Sequence, residues 1–129
     1  MTTRILFVCV ENANRSQMAE AFVRIHGNKD IEVYSAGSKP SGKVNPKAIE
    51  AMEELGYDLT THQSLGLDDL PDVVFDYAVT MGCGDECPLV KAKTRLGWEI
   101  PDPRELPPEK FRTIRDLIET KVKALLGSS

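Results

Sequence analysis

The sequence predicts an α/β fold in which a four-stranded parallel sheet carries helices on both faces. Apolar runs typical of buried strands alternate along the chain with segments whose apolar residues recur at helical spacing. The three cysteines stand at the end of a predicted strand or just after one. Because 129 residues can bury one core of this kind and not two, we expect a single domain over residues 1–129.

The first predicted strand covers Arg4–Val10 and reads RILFVCV, a continuous apolar run typical of a strand buried on both faces of a parallel sheet. A helix is predicted from Ser16, because apolar residues then recur at helical spacing as far as Ile25 and Gly27 can end the helix. A short loop therefore joins the first strand directly to the first helix.

A second strand is predicted over Asp30–Gly37, where apolar and polar residues alternate before small turn residues. The second helix is predicted to start at Pro46 with Asn45 as its N-cap and to close at Gly56. These elements continue the alternation of strand and helix.

The third predicted strand is Phe75–Met81, and the segment GCGDECP follows it. A shorter fourth strand is predicted in RLGWEIPDP, and the last helix begins near Pro107 and Pro108 and keeps an apolar stripe to Leu125. In open α/β sheets, ligands bind outside the carboxyl ends of the strands. The loops after strands one, three and four are therefore expected to meet at one edge.

The loop after the first strand has the features of an oxyanion site. Its backbone N–H groups and the positive end of the following helix can surround a tetrahedral anion, which the planar guanidinium of Arg15 can grip with two hydrogen bonds. The same field favours the thiolate form of Cys9 and so makes it a candidate nucleophile. The predicted oxyanion-binding residues are Glu11, Asn12, Ala13, Asn14, Arg15 and Ser16.

Two members of that loop have further expected roles. Ser16 can donate a hydrogen bond to the sulfur of Cys9, and Asn12 tolerates the left-handed backbone that a tight loop needs. A cysteine and an arginine six positions apart can also be an unrelated buried thiol and surface cation. The strand before them and the helix directly after them favour oxyanion chemistry.

Five stretches together resemble the arsenate reductases that are built on the low-molecular-weight tyrosine phosphatase fold. They are VCVENANRSQMAEAF, VYSAG, NPKAIEAMEELG, VTMGCGDECP and PDP, and they span nearly the whole chain. The resemblance implies arsenate as substrate and thioredoxin as reductant, and the sequence leaves glutaredoxin and a small thiol open as alternative reductants. It also implies that Asp102, held between two prolines, is the general acid that protonates the leaving oxygen.

The resemblance further implies a relay of thiols. Cys9 would attack arsenic, Cys83 would attack the Cys9 sulfur and release arsenite, and Cys87 would move the disulfide to the Cys83–Cys87 pair, which thioredoxin reduces. Reduction of As(V) to As(III) takes two electrons, which two thiols supply by forming a disulfide. Gly82 falls near the position of the first relay cysteine in relatives, so the order of Cys83 and Cys87 stays open.

Three other functions are compatible with parts of the sequence. A tyrosine phosphatase would hydrolyse phosphate monoesters with the same loop, but it needs no paired thiols and usually has proline at the position of Gln17. Zinc binding by the cysteine pair would need further ligands, and His26 and His62 show no suitable spacing. A non-catalytic oxyanion- or metal-binding module would leave the thiol at the helix entry and the Asp-Pro acid without a role.

The loop and a neighbouring site depart from the family pattern. Glu11 stands where relatives often have glycine, and Asn14 stands where they often have a second loop cysteine. Some relatives bind potassium beside the loop, and the possible ligands here are Asn12, Glu20 and Ser35. Leu65 replaces the aspartate that would complete that site, so no metal is expected.

The composition sets limits on location and partners. With 16 basic and 20 acidic residues the chain is mildly acidic and lacks the basic stripe that binding of nucleic acid or an anionic membrane needs. It also lacks a secretory leader pattern and any long apolar run. We therefore expect a cytoplasmic protein, whose cysteines are catalytic, redox-active or metal-binding rather than part of a permanent disulfide framework. We also expect a monomer without a cofactor, although the sequence does not determine the oligomeric state.

Overall fold

Four parallel strands form one sheet, in the order β2-β1-β3-β4, which confirms the predicted sheet. The computed structural model describes residues 2–9, 12, 14–81, 91–101, 103 and 105–128, the last of these by its backbone alone. The strands are β1 (Thr3–Cys9), β2 (Ile31–Gly37), β3 (Phe75–Thr80) and β4 (Ala92–Gly97). The α-helices of this part are α1 (Arg15–His26), α2 (Pro46–Glu53) and α3 (Pro108–Ser128), and two single-turn 3-10 helices are Leu59–Thr61 and Leu67–Asp69.

Strand β1 lies in the middle of the sheet, with β2 on one side and β3 on the other. Its residues Ile5, Leu6 and Phe7 are fully buried, as expected for an apolar strand paired along both edges. The register places Cys9 beside Gly37 at the carboxyl end of the sheet. The central strand therefore delivers the thiol to the edge where the sequence predicts the functional loops.

Helical segments cover the two faces of the sheet unequally. The three α-helices share one core cluster with Phe7 and Val79, whereas Leu6 and Val8 pack on the other face against partly buried residues that include Leu67. Leu67 opens the second 3-10 helix. The prediction of a sheet flanked by helices is confirmed, and the bulk of the helical packing lies on one face.

The ends of several elements differ from the predicted ones by a few residues. The N-cap of α2 is confirmed, because the Asn45 side chain accepts a hydrogen bond from the Lys47 N–H at 2.9 Å. Strand β4 begins at Ala92, before the predicted segment, and ends at Gly97. It lies at the sheet edge with mostly exposed side chains, so its sequence lacks the apolar run of a buried strand. Neither 3-10 helix was predicted.

The carboxyl end of α2 is fixed to α3 by a cluster of ion pairs. Arg115, which is 7% exposed, donates to the carbonyl oxygen of Ala51 at 2.9 Å and to Glu54 at 2.8 Å. Arg112 donates through Nε to both carboxylate oxygens of Glu54 at 2.9 Å. The hydrogen bond from Arg112 is the largest of several effects that lower the pKa of Glu54 below its ordinary value.

No helix in the described part of the chain combines the length and the apolar character that a membrane span requires.

Candidate active site

The sulfur of Cys9 lies next to the first turn of α1. Cys9 is the last residue of β1 and is 3% exposed, and its Sγ is 2.9 Å from the hydroxyl oxygen of Ser16. Between these two residues, Asn12 has a φ of 51°, a left-handed conformation that asparagine tolerates better than most residues.

Asn12 is fully buried and fixes the direction of the hydrogen bonds around the sulfur. Its amide oxygen accepts from the N–H of Leu65 at 2.7 Å, so its amide nitrogen faces the Ser16 oxygen, to which it donates at 2.7 Å. Because Ser16 Oγ accepts from Asn12, its own hydrogen can be directed at Cys9 Sγ. A donor aimed at the sulfur stabilises its negatively charged form.

Arg15 is the first residue of α1 and joins the loop to the end of the sheet near β4. It is 7% exposed, and its Nη1 donates to the carbonyl oxygen of Ile100 at 3.0 Å. This bond places the guanidinium at the same edge as Cys9, where it adds its charge to the positive end of the helix. The local field at this edge therefore favours anions.

Two buried side-chain atoms lack a hydrogen-bond partner in the described structure, the Asn14 amide oxygen and the Ser38 hydroxyl. Both lie close to Cys9 along the fold. Asn14 immediately precedes α1 and its side chain does not cap the helix, while the N–H of Ser38 donates to the carbonyl oxygen of Cys9 at 3.2 Å. Unpaired polar atoms are costly in a protein interior, so both side chains suit a polar ligand at this loop.

The structure brings a subset of the predicted site residues into one strand-to-helix junction, namely Cys9, Asn12, Asn14, Arg15 and Ser16. The other predicted site residues lie outside the described residues. They are Glu11, Ala13, Cys83, Cys87 and Asp102, and Gly82 lies outside them too.

Sequence reasoning missed two polar residues of this region. Gln17 was noted as a departure from proline, but it is fully buried and its amide nitrogen lies 2.9 Å from the amide oxygen of Asn12. The sequence alone does not distinguish Ser38 from the loop residues that follow the second strand. A glutamine beside buried Met18 on the first helical turn was the available signal, because a polar side chain at a core position needs partners inside the protein.

The oxygens considered for potassium have protein partners in the described structure. Glu20 Oε1 accepts from the Ser35 hydroxyl at 2.7 Å, and Glu20 Oε2 accepts from Arg24 at 3.1 Å. The Asn12 oxygen is directed at the N–H of Leu65, a residue with no side-chain oxygen. Among the described residues, no group of three or more His, Cys, Asp or Glu side chains is arranged to hold a metal ion.

Both histidines have protein partners. The imidazole of His26 lies 2.8 Å from Glu119, and His62 lies 2.8 Å from the amide oxygen of Gln17. The cysteine pair of the alternative zinc site lies outside the described residues.

Comparison with known proteins gives the family. The sequence pattern of the low molecular weight phosphotyrosine protein phosphatases matches residues 4–129. Arsenate reductase 2 of Staphylococcus epidermidis is 37% identical over 124 residues, which are 93% of this chain and 93% of that protein. The glutaredoxin arsenate reductase of Synechocystis is 34% identical over 127 residues, which are 96% of each.

Solved structures agree with the sequence relatives. A structure described as an arsenate reductase in the phosphate binding state matches with a TM-score of 0.89 at 33% identity over 98% of each chain. The thioredoxin-dependent arsenate reductase of Corynebacterium glutamicum matches with a TM-score of 0.79 at 32% identity, over 98% of this chain and 61% of that one. The predicted phosphatase-like fold is confirmed, and the chain belongs to the low molecular weight phosphotyrosine protein phosphatase family.

Proposed function

We propose that this protein is an arsenate reductase in which Cys9 is the nucleophile. The observation that carries the proposal is the buried Cys9 sulfur, 2.9 Å from the Ser16 hydroxyl at the entry to α1, in a chain whose relatives are named arsenate reductases. Such a thiol is poised for attack on an electrophilic centre that the positive edge of the sheet attracts.

We infer that residues Glu11–Ser16 bind the oxyanion, with Arg15 as its clamp. The buried oxygen of Asn14 and the hydroxyl of Ser38 support this assignment, since a protonated tetrahedral anion offers oxygens to the serine and a hydrogen to the asparagine. The hydrogen bond from Arg15 to the Ile100 carbonyl oxygen also supports this assignment, because the bond holds the guanidinium beside the loop.

The proposed chemistry balances in three steps. Cys9 thiolate attacks arsenic and displaces an oxygen, which leaves as water after protonation by Asp102. Cys83 thiolate then attacks the Cys9 sulfur, and the electron pair of the sulfur–arsenic bond stays on arsenic, which becomes As(III) and leaves as arsenite. Cys87 next attacks Cys83, which gives the Cys83–Cys87 disulfide and frees Cys9.

Two described contacts support this assignment of residues. The N–H of Met81 donates to the carbonyl oxygen of Val8 at 2.8 Å, so the chain passes beside β1 two positions before Cys83. The Ile100 carbonyl, bound by Arg15, stands two positions before Asp102.

A dithiol reductant of the thioredoxin or glutaredoxin type must reduce the final disulfide, and relatives of both kinds are known by name. Of the two we propose thioredoxin, acting on a monomer in the cytoplasm. Reducing compartments keep such proteins in the dithiol form, so they can reduce a disulfide that forms once in every turnover.

The test measures arsenite formation and NADPH consumption with thioredoxin and thioredoxin reductase, in parallel with glutaredoxin and glutathione. Hydrolysis of a phosphate monoester is followed on the same sample. We expect arsenate-dependent NADPH consumption with the thioredoxin pair. Ester turnover without NADPH consumption on arsenate would instead establish the phosphatase alternative.

Substitution of single cysteines sharpens the test. Cys9→Ser is expected to abolish arsenite formation, while Cys83→Ser and Cys87→Ser should each stop multiple turnovers and leave phosphate binding intact. A Cys83→Ser or Cys87→Ser variant that still cycles with thioredoxin would contradict the relay without contradicting the role of Cys9.

A further inference from the structure

The polar network beside Cys9 continues outward through Gln17. The Gln17 amide nitrogen lies 2.9 Å from the side-chain oxygen of Asn12, 3.0 Å from its carbonyl oxygen and 2.8 Å from the carbonyl oxygen of Gln63. All three neighbours are acceptors, so the donating end of the amide must face them. The amide oxygen of Gln17 therefore faces the opposite way and accepts.

That oxygen determines the tautomer of His62. It lies 2.8 Å from His62 Nδ1, which must carry the hydrogen, and His62 Nε2 then accepts from the Tyr57 hydroxyl at 2.6 Å. Burial lowers the pKa of His62 and raises the pKa of Tyr57, and both effects favour the neutral forms that this pattern requires. The nearby charges are the Glu20 carboxylate, 3.5 Å from Nδ1, Arg24, which is paired with Glu20, and Asp58, whose charge acts on Tyr57.

We propose that Tyr57 and His62 are positioning residues that stabilise the thiolate of Cys9 through a one-way chain of hydrogen bonds. Every donor in the chain faces the sulfur: Tyr57 to His62, His62 to Gln17, Gln17 to Asn12, Asn12 to Ser16, and Ser16 to Cys9. The inference rests on the proposed function, in which Cys9 is the nucleophile.

The physical basis is cooperative polarisation. A group that accepts a hydrogen bond becomes a better donor to the next group, and low surrounding polarity strengthens the effect. Gln17, Asn12 and Ser16 are fully buried, and the side chain of His62 is 5% exposed. The Tyr57 hydroxyl, which is five hydrogen bonds from the sulfur, can therefore stabilise the thiolate without contacting the sulfur or the substrate.

The experiment is the pH profile of Cys9 alkylation by iodoacetamide in the reduced protein and in Tyr57→Phe. Cys9 is the sole cysteine between Arg4 and Arg15, so the tryptic peptide of residues 5–15 reports its modification by mass spectrometry. We expect the midpoint of the profile to rise by about 0.3 pH units in Tyr57→Phe and by more, about 0.5–1, in His62→Phe. Tyr34→Phe is the matched control and should leave the midpoint unchanged, because Tyr34 contacts Glu32 and lies outside the chain.

The melting temperatures of the same variants distinguish this role from a purely structural one. A profile that stays in place in Tyr57→Phe while the melting temperature falls would overturn the proposal. Tyr57→Phe removes one oxygen and keeps the ring, so it decides the matter even where His62→Phe does not fold. The alkylation assay needs neither arsenate nor a reductant, so a protein that titrates as expected but does not reduce arsenate would contradict the proposed function alone.

Discussion

Two polar clusters of this protein are built in opposite ways. The cluster around Cys9 joins the buried cation Arg15 to neutral side chains, of which Asn12, Ser16 and Gln17 are fully buried. The cluster between α2 and α3 uses full charges, and the side chains of Arg112 and Glu54 are 44% and 34% exposed. The first lies inside the fold, whereas the second is partly exposed and has Arg115 as its buried end.

The difference follows from the cost of burial. A neutral hydrogen-bonded amide or hydroxyl can be buried fully once its partners are satisfied, whereas a formal charge loses much more hydration. Buried neutral donors can act together on one sulfur, while exposed ion pairs mainly hold two helices together and contribute little each. Substitutions in the first cluster should therefore change chemistry, and substitutions in the second should change stability.

The largest effect is expected from Arg15→Lys. Lysine cannot grip two anion oxygens with a planar fork, so kcat/KM for arsenate should fall by about a hundredfold to a thousandfold. Steady-state NADPH consumption measures it, with Arg112→Lys as the matched control that keeps full activity. Equal activities in the two variants would remove the distinction between the clusters.

A smaller effect on selectivity is expected from Asn14→Leu. The buried oxygen of Asn14 can accept the hydrogen of arsenate or phosphate, whereas sulfate carries none at neutral pH. Loss of the acceptor should reduce the preference for phosphate over sulfate by about tenfold, as measured by calorimetric titration of both anions. An unchanged ratio of the two affinities would show that Asn14 does not contact the anion.

Arg115→Met tests the partly buried end of the charged cluster. The change leaves the Ala51 carbonyl without its side-chain donor, and the free energy of unfolding should fall by about 1–3 kcal/mol in a urea titration. Arsenate reduction in the folded variant should stay at the wild-type rate. A loss of activity without a loss of stability would contradict the separation proposed for the two clusters.

The smallest effect is expected from Arg112→Met and should appear in acid. Arg112 is the main cause of the lowered pKa of Glu54. The ion pair therefore stabilises the fold at pH values above the pKa of this carboxyl group in the unfolded chain, and its contribution is lost as the pH falls through the pKa of Glu54 in the folded protein. Between about pH 5 and pH 3 the variant should lose less stability than the wild type. Parallel curves of unfolding free energy against pH would contradict this.

Much of the fold followed from local sequence, and part of the site did not. The apolar run of β1 and the helical spacing after Ser16 predicted a strand-to-helix junction, and the structure places the Cys9 sulfur beside Ser16 there. The exposed edge strand β4 carries no strong apolar pattern, so its start was predicted too late.

The outer half of the network was not predicted for a different reason. His62 and Gln17 are 45 positions apart, and Tyr57 joins the hydrogen-bond network through His62. Their meeting depends on how the segment after α2 packs beside α1, which no local pattern of the sequence encodes. Such long-range pairs of neutral side chains become visible only once the tertiary structure is known.

The absence of formal charge from the links between Tyr57 and Cys9 has a consequence for the environments in which the protein can work. Mobile ions weaken attraction between exposed charges, but they have little to screen in a buried row of amides and hydroxyls. The stabilisation that this row gives to the Cys9 thiolate should therefore be nearly the same at low and at high salt concentration, even where salt weakens the ion pairs between α2 and α3.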